Sequence, residues 1–174
     1  IAFAIKARPD EVDRPLLTRL LDMGLFRVFL GIEAGTADAL VVLGRGQRLD
    51  DNERALALVN DLGLHACFNL LMFNPDSTLE DVALHVEFLR THPDNPMNFC
   101  RTEIYSGTPL ERSLRASGRL LGDHWGHDYR IADPRAERAF QIAFSAFEER
   151  NFGPTSLHHM AMRLDYEHHL LAHF

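Results

Sequence analysis

Val28-Phe29-Leu30-Gly31-Ile32-Glu33-Ala34-Gly35 decides how this chain is read. The stretch is apolar and strand-favouring until one carboxylate, Glu33, arrives just before Ala34 and Gly35. That pattern predicts a buried strand of a parallel sheet delivering a single acid at its C-terminal tip. In α/β barrels and open α/β sheets the chemistry sits at that end, and an acid in so apolar a neighbourhood needs a partner. Two readings stand side by side: Glu33 works in a site, or it caps the following helix or pairs with a buried arginine.

Working outward, Ile1–Ala7 reads as a preceding strand. Asp13 with Pro15 opens a helix whose apolar face is Leu16, Leu17, Leu20 and Leu21, and Gly24 closes it. On the other side, a short helix from about Thr36 to Leu43 stops at Gly44-Arg45-Gly46. Asp50 or Asp51 then starts a helix with Ala55, Leu56, Leu58, Val59 and Leu62 on one face. Ala66–Phe73 is nearly all apolar and predicts a third strand covered on both faces. Ser77 with Glu80 makes a capping box for a helix to about Thr91. Met97–Ile104 is a fourth strand, and Gly107-Thr108-Pro109 opens a helix to about Ala116.

The units repeat: Gly24-Leu25 and Gly63-Leu64, thirty-nine residues apart, each end a helix and lead directly into a strand. Strands alternating with helices at this spacing predict an α/β fold with a parallel sheet, either half of a (β/α) TIM-like barrel or a doubly wound sheet. We divide the chain into a partial (β/α) barrel over residues 1–117 and a helical C-terminal extension over 118–174. Within the extension, Gly118–Asp133 reads as a polar loop and Pro134–Arg150 and Leu157–Leu171 as helices. Phe140, Phe144 and Phe147 share one face of the first, and Trp125 and Tyr129 are expected to anchor the extension to the core.

The 174 residues carry a formal charge of −7 with no basic cluster, which argues against a nucleic-acid-binding face. No apolar run approaches the length of a membrane span and no signal peptide is visible, so the expectation is a cytoplasmic protein without a membrane partner. Cys67 and Cys100 are far apart and each falls within a predicted strand, where a free thiol behaves as a small hydrophobe rather than half of a disulfide. The chain starts without Met in a strand and stops in a helical pattern, so we expect a fragment of something longer.

If the sheet is parallel, its strand tips converge Lys6 and Arg8, then Glu33, then Asn69 and Asn74, then Glu103, Tyr105 and Ser106 on one pocket. Arg45 follows Glu33 by twelve residues and can fold back over it. A carboxylate beside a guanidinium suits a zwitterionic or ribose-bearing ligand, because the acid accepts hydroxyl or amino protons and the arginine forks onto a carboxylate. The plainer reading of Arg45 is a solvated charge in a Gly-rich turn. The histidines come in pairs, His124 with His127, His158 with His159, and His169 with His173 at helical spacing. No pair has a third ligand at a convincing sequence distance, and Glu167 lies off the face of His169, so no metal site is predicted.

Phe29-Leu30-Gly31-Ile32-Glu33-Ala34-Gly35 with Leu40 and Arg45-Gly46 resembles the fourth strand and following helix of radical S-adenosylmethionine enzymes. Leu62–Phe73 with Asn74-Pro75-Asp76-Ser77-Thr78-Leu79-Glu80-Asp81 is similar to that family's fifth strand and its Gly-x-Pro-Gly-Glu-Thr-x-Glu turn. Phe73-Asn74 and Asp76-Ser77 replace residues usual there. Tyr105-Ser106-Gly107-Thr108-Pro109-Leu110 is similar to the Gly-Thr-Pro-Leu after the sixth strand. The three motifs, in order, span residues 1–114 and place this chain at about the third to sixth strands of the family's core.

The resemblance implies that Glu33 binds the ribose hydroxyls of S-adenosylmethionine and Arg45 its methionyl carboxylate. It implies that Leu71 to Phe73 pack on the adenine, whose edge meets backbone from Tyr105 through Gly107 to Thr108; Gly31 belongs to the same cofactor-binding set. Lys6, Arg8, Asn69 and Glu103 are the candidates for contact with a small-molecule or peptide substrate. The Cys-x3-Cys-x2-Cys loop that holds the family's four-iron four-sulfur cluster is absent, so the cluster ligands are expected outside this chain. This chain alone is then expected to be inactive, and the intact enzyme to take electrons from a reductant such as flavodoxin or ferredoxin. Residues 122–134, from Gly-Asp-His-Trp-Gly-His to Asp-Pro, resemble the subset with a cobalamin-binding domain, which implies cobalamin-dependent methylation or rearrangement. Two other classes remain open: an unrelated α/β-barrel metal-dependent lyase or hydrolase, and a non-catalytic barrel-like binding subunit.

Overall fold

The computed structural model describes every residue of the chain except Pro96, Phe152 and Phe174 and the side chains of Asn98, Phe99 and His173. Four strands, β1 (Phe3–Ala7), β2 (Leu25–Glu33), β3 (His65–Phe73) and β4 (Met97–Arg101), form one sheet in the order β1-β2-β3-β4. All three pairings are parallel. The crossovers are α1 (Arg14–Asp22), then α2 (Ala37–Val42) with α3 (Leu49–Asp61), then α4 (Leu79–Thr91). Helix α5 (Pro109–Ala116) follows β4. This is the predicted succession of strand–helix units.

Local chemistry explains most boundaries. The Asp13 side chain accepts the Leu16 amide at 2.8 Å while Pro15 stands in the first turn of α1. Helix α3 begins at Leu49, where the Asp51 carboxylate accepts the amide of Arg48 at 3.0 Å. The capping box of α4 is Thr78 with Asp81, not Ser77 with Glu80. Ser77 is instead buried, its hydroxyl accepting the Asn74 amide at 2.9 Å inside the turn. Strand β4 ends at Arg101, three residues earlier than predicted, so Glu103 lies on the loop that follows.

The two faces of the sheet differ. Val28, Leu30 and Ile32 of β2, with Phe68 and Leu70 of β3, are 0% exposed on the outer face, packed with Leu17 of α1 and Leu56 and Val59 of α3. Each such side chain contributes about 1.5–3 kcal/mol by leaving water. Arg27, Phe29, Gly31 and Glu33 of β2, and Asn69 and Leu71 of β3, are only half-buried. The expectation that the third strand is covered on both faces therefore holds for its outer face and for His65 and Cys67 on its inner face, but not for Asn69 and Leu71. The four strands form an open sheet, and the C-terminal end of its inner face looks into a cleft.

The extension is more ordered than its sequence suggests. Residues 118–133, expected as a loop, contain an antiparallel hairpin of β5 (Leu120–Asp123) and β6 (Gly126–Tyr129). Four-residue strands rich in Gly, His and Asp carry no apolar alternation, so periodicity misses them. Tyr129 is the anchor: its ring is buried and its hydroxyl donates to the Phe73 carbonyl at 3.4 Å. The Arg101 guanidinium lies 3.8 Å from the Tyr129 ring centroid and 4.7 Å from that of Phe140. Trp125, expected to share this task, is 86% exposed at the hairpin turn. Helices α6 (Pro134–Asn151) and α7 (Leu157–His173) complete the chain, and Ala136 of α6 joins the same hydrophobic core as the sheet. Among the described residues no helix is long and apolar enough to cross a membrane.

Candidate functional site

The site begins with an irregularity at the tip of β2. Leu30 is in register with Phe68 of β3, and the next pair is Glu33 with Leu70, so β2 spends an extra residue where its neighbour spends none. Glu33 takes up the bulge with φ +64°, the sole positive φ outside glycine among the described residues. A left-handed residue of this kind costs roughly 1–2 kcal/mol. It also leaves the carbonyls of the bulge without their ladder partners.

Two buried amides meet that need. The Gln47 side chain donates to the Gly31 carbonyl at 2.9 Å, and the fully buried Asn52 donates to the carbonyls of Ile32 and Ala34, each at 3.1 Å. Gln47 also donates to the Asn52 side-chain oxygen at 3.1 Å, locking the pair together. Behind the tip, Gly35 lies against Phe88, where an added Cβ would come within 2.6 Å of the Phe88 Cβ. These braces were not singled out from sequence. Gln47 and Asn52 look like ordinary polar residues around a helix start, and only the bulge gives them partners.

Arg45 folds back and makes an ion pair with Glu33, Nη2 to Oε1. It sits between Gly44 and Gly46, both with φ above +60°, which lets the turn reverse over the strand tip. Arg8 donates to the Arg45 carbonyl at 3.2 Å and is itself forked onto Asp10 at 2.8 and 3.0 Å. Those contacts give Arg8 a supporting place beside the site.

The pair stands over a cleft of about 840 Å³ at the C-terminal ends of the strands. Of the predicted cofactor-binding residues, Glu33, Arg45, Leu71, Tyr105 and Thr108 line it, and Asn69 and Glu103 of the substrate set join them. The Asn69 side-chain oxygen is buried with no hydrogen-bond partner, an unmet acceptor in the wall of the cleft. Tyr105 donates its hydroxyl to Glu103, a bond that pushes the phenol above its ordinary pKa. Thr108 caps α5, accepting the Glu111 amide at 3.2 Å.

The other predicted residues fall elsewhere. Phe73 is buried edge-on against Phe140, ring centroids 5.4 Å apart, and does not face the cleft. Gly31 supports Gln47 from behind, and Gly107, at φ +82°, shapes the turn before α5. Lys6 reaches over the Phe29 ring at 5.5 Å on the inner face, away from the cleft.

Neither cysteine is built to hold an iron–sulfur cluster. Cys100 borders the cleft, but burial, with Glu33 and Glu103 adding to it, pushes its thiol up to about 11. Burial likewise raises the Cys67 thiol, whose sulfur takes two N–H donors from Arg27 at 3.1 and 3.3 Å. Cluster ligation requires several adjacent thiolates, and two protonated thiols on separate strands do not supply them.

No protein-family model matches the chain. It is 29% identical over 94 residues to a tRNA uridine(34) acetyltransferase of Methanocaldococcus infernus, which covers 54% of this chain and 18% of that protein. Among solved structures, the cobalamin-dependent S-adenosylmethionine radical enzyme OxsB superposes with a TM-score of 0.68 at 17% identity, over 86% of this chain and 30% of that one. The Methanocaldococcus infernus Elp3 structure gives a TM-score of 0.59 at 26% identity, over 68% of this chain and 28% of that one. The fold is therefore that of part of a radical S-adenosylmethionine enzyme, as the motifs predicted, with cobalamin-dependent members among its neighbours. The chain spans less than a third of each of these three proteins.

Proposed function

We propose that the cleft binds S-adenosylmethionine and that this chain is the cofactor-binding part of a radical enzyme. The observation that carries the reading is Glu33. A carboxylate is held in a left-handed backbone conformation by two buried amides and faces Arg45 across the mouth of a cleft. Strain braced in this way is characteristic of residues placed for a ligand.

Each group has work suited to its chemistry. The Glu33 carboxylate accepts hydrogen bonds from the ribose hydroxyls, and the Arg45 guanidinium turns from Glu33 to the methionyl carboxylate. Leu71 offers an apolar wall to the adenine, and the backbone from Tyr105 to Thr108 meets its edge. Asn69 and Glu103 are left to face a small-molecule or peptide substrate. Because Glu33 and Arg45 neutralise each other without ligand, a zwitterion that satisfies both leaves neither charge stranded. Bound at a reduced four-iron four-sulfur cluster, S-adenosylmethionine supplies radical chemistry that abstracts hydrogen from substrate; in the cobalamin-dependent subset the outcome is methylation or rearrangement. The cluster cysteines belong to sequence outside these 174 residues, and a flavodoxin or ferredoxin in the cytoplasm supplies the electron.

The test is a calorimetric titration of S-adenosylmethionine into the chain and into Glu33→Ala and Arg45→Ala. Saturable binding that weakens tenfold or more in both variants is expected. Equal heats for all three proteins would remove Glu33 and Arg45 from the cofactor site. The same frame extended upstream and expressed anaerobically is expected to bind about four irons per chain, in keeping with a cluster of that type.

A further inference from the structure

The opposite end of the inner face carries a cluster that the proposed function does not use. His65 is the first residue of β3, and Asp165 and His169 lie one turn apart on α7. One ligand atom from each of the three comes within 4.8 Å of the others. His65 is buried, 3% exposed, while Asp165 and His169 are part-exposed, so the cluster has a dry wall and an open side.

Its hydrogen bonding is incomplete in an informative way. His169 Nδ1 lies 2.9 Å from the Asp165 carbonyl one turn back, the orientation that commits Nδ1–H to backbone and frees Nε2. Metal-binding histidines are held by a bond of this kind on the nitrogen that does not ligate. The Asp165 Oδ2 atom is buried 3.1 Å from His65 Nδ1, yet it has no hydrogen-bond partner. Arg27, the neighbouring cation, is engaged elsewhere: its guanidinium donates to Cys67 and lies 5.1 Å from the Tyr166 ring centroid. A carboxylate oxygen buried without a hydrogen bond beside two imidazoles calls for a cation.

We propose that His65, Asp165 and His169 form a binding site for a divalent transition-metal ion of the zinc class, which clamps α7 to the floor of the sheet. Two imidazoles and one carboxylate form a nitrogen–oxygen set that zinc accepts, with a water completing the tetrahedron. The ligands come from the first residue of β3 and from a helix a hundred residues later. Metal binding therefore joins the extension to the barrel and stabilises that contact by mass action.

Co²⁺ reports the site by its visible d–d absorption, and Zn²⁺ competes it away. The chain, stripped with chelator, is titrated with Co²⁺ beside Asp165→Asn, His169→Gln and the control His168→Gln. The expected result is one equivalent of Co²⁺ in a tetrahedral spectrum, displaced by Zn²⁺. Affinity should fall tenfold or more in the Asp165 and His169 variants and stay unchanged in His168→Gln. Zn²⁺ should also raise the melting temperature of the parent chain and not of Asp165→Asn. Circular dichroism of the metal-free variants confirms that they fold, and His65, which is buried, is left intact for that reason. Absence of a saturable spectrum, or one that survives both Asp165→Asn and His169→Gln, overturns the site and leaves the three residues as a polar contact between helix and sheet.

Discussion

The mouth and the floor of the inner sheet face carry similar chemistry and were built differently. At the mouth, Glu33 and Arg45 are twelve residues apart and joined through a turn and one short helix. At the floor, His65 meets Asp165 and His169 across most of the chain. The mouth's acid sits in a strained backbone supported from behind by Gln47 and Asn52; the floor's acid sits in an unstrained helix with one oxygen buried without a hydrogen bond. A local site can be tuned through its own backbone. A site assembled from distant elements depends on how those elements dock.

Four experiments sharpen this comparison, in order of expected effect. Asn52→Leu, which takes the Asn52 donor from the Ala34 carbonyl and one of three donors from the Ile32 carbonyl, is expected to cost about 1–3 kcal/mol in urea unfolding, the penalty of a buried group left unsatisfied. It should weaken S-adenosylmethionine binding while leaving Co²⁺ binding at the floor intact; a parallel loss at both ends would mean that the ends are not independent.

Glu33→Gly asks whether the strain serves the ligand. Glycine accepts φ +64° without penalty, so stability in the same assay should stay level or rise by up to about 1 kcal/mol. Cofactor affinity should meanwhile drop tenfold or more. A variant that loses stability and keeps affinity would make Glu33 a structural acid.

The third experiment uses a histidine at neither end. His85 of α4 is fully buried, its Nδ1 lying 3.2 Å from the Met72 carbonyl, and burial holds its pKa below the ordinary 6.5. The unfolded chain therefore binds the proton more readily, and stability falls as pH drops below about 6.5, by at most about 1.4 kcal/mol per pH unit for one proton. His85→Leu should flatten that part of the stability–pH curve, and an unchanged slope would place the acid sensitivity in other groups. The smallest effect is expected from Arg163→Ala on α7, whose partner Glu167 is also exposed: a change within about 0.5 kcal/mol in the melting curve, with Co²⁺ binding unaltered.

The parallel sheet, its order of units and the acid at the tip of β2 were legible in sequence because each rests on short-range signals. Apolar runs, caps and turn glycines act over a few residues, and Arg45 lies near enough in sequence to be matched with Glu33. The motifs likewise pointed to the enzyme family whose fold the chain shares. Less was legible where partners are remote. The β5–β6 hairpin has too few apolar positions to show a period. Phe73 looked available to a ligand until Phe140 of α6 covered it.

What the sequence by itself determined about this protein is the four strands of the main sheet with their helices and one charged pair at the mouth, because local propensity and hydrophobic period act along the chain. Tertiary structure alone decided that β2 bulges at Glu33, that Gln47 and Asn52 support the bulge, and that α7 delivers Asp165 and His169 to His65. Those depend on register and docking, where a shift of one residue changes which atoms meet, and no short window of sequence carries that information.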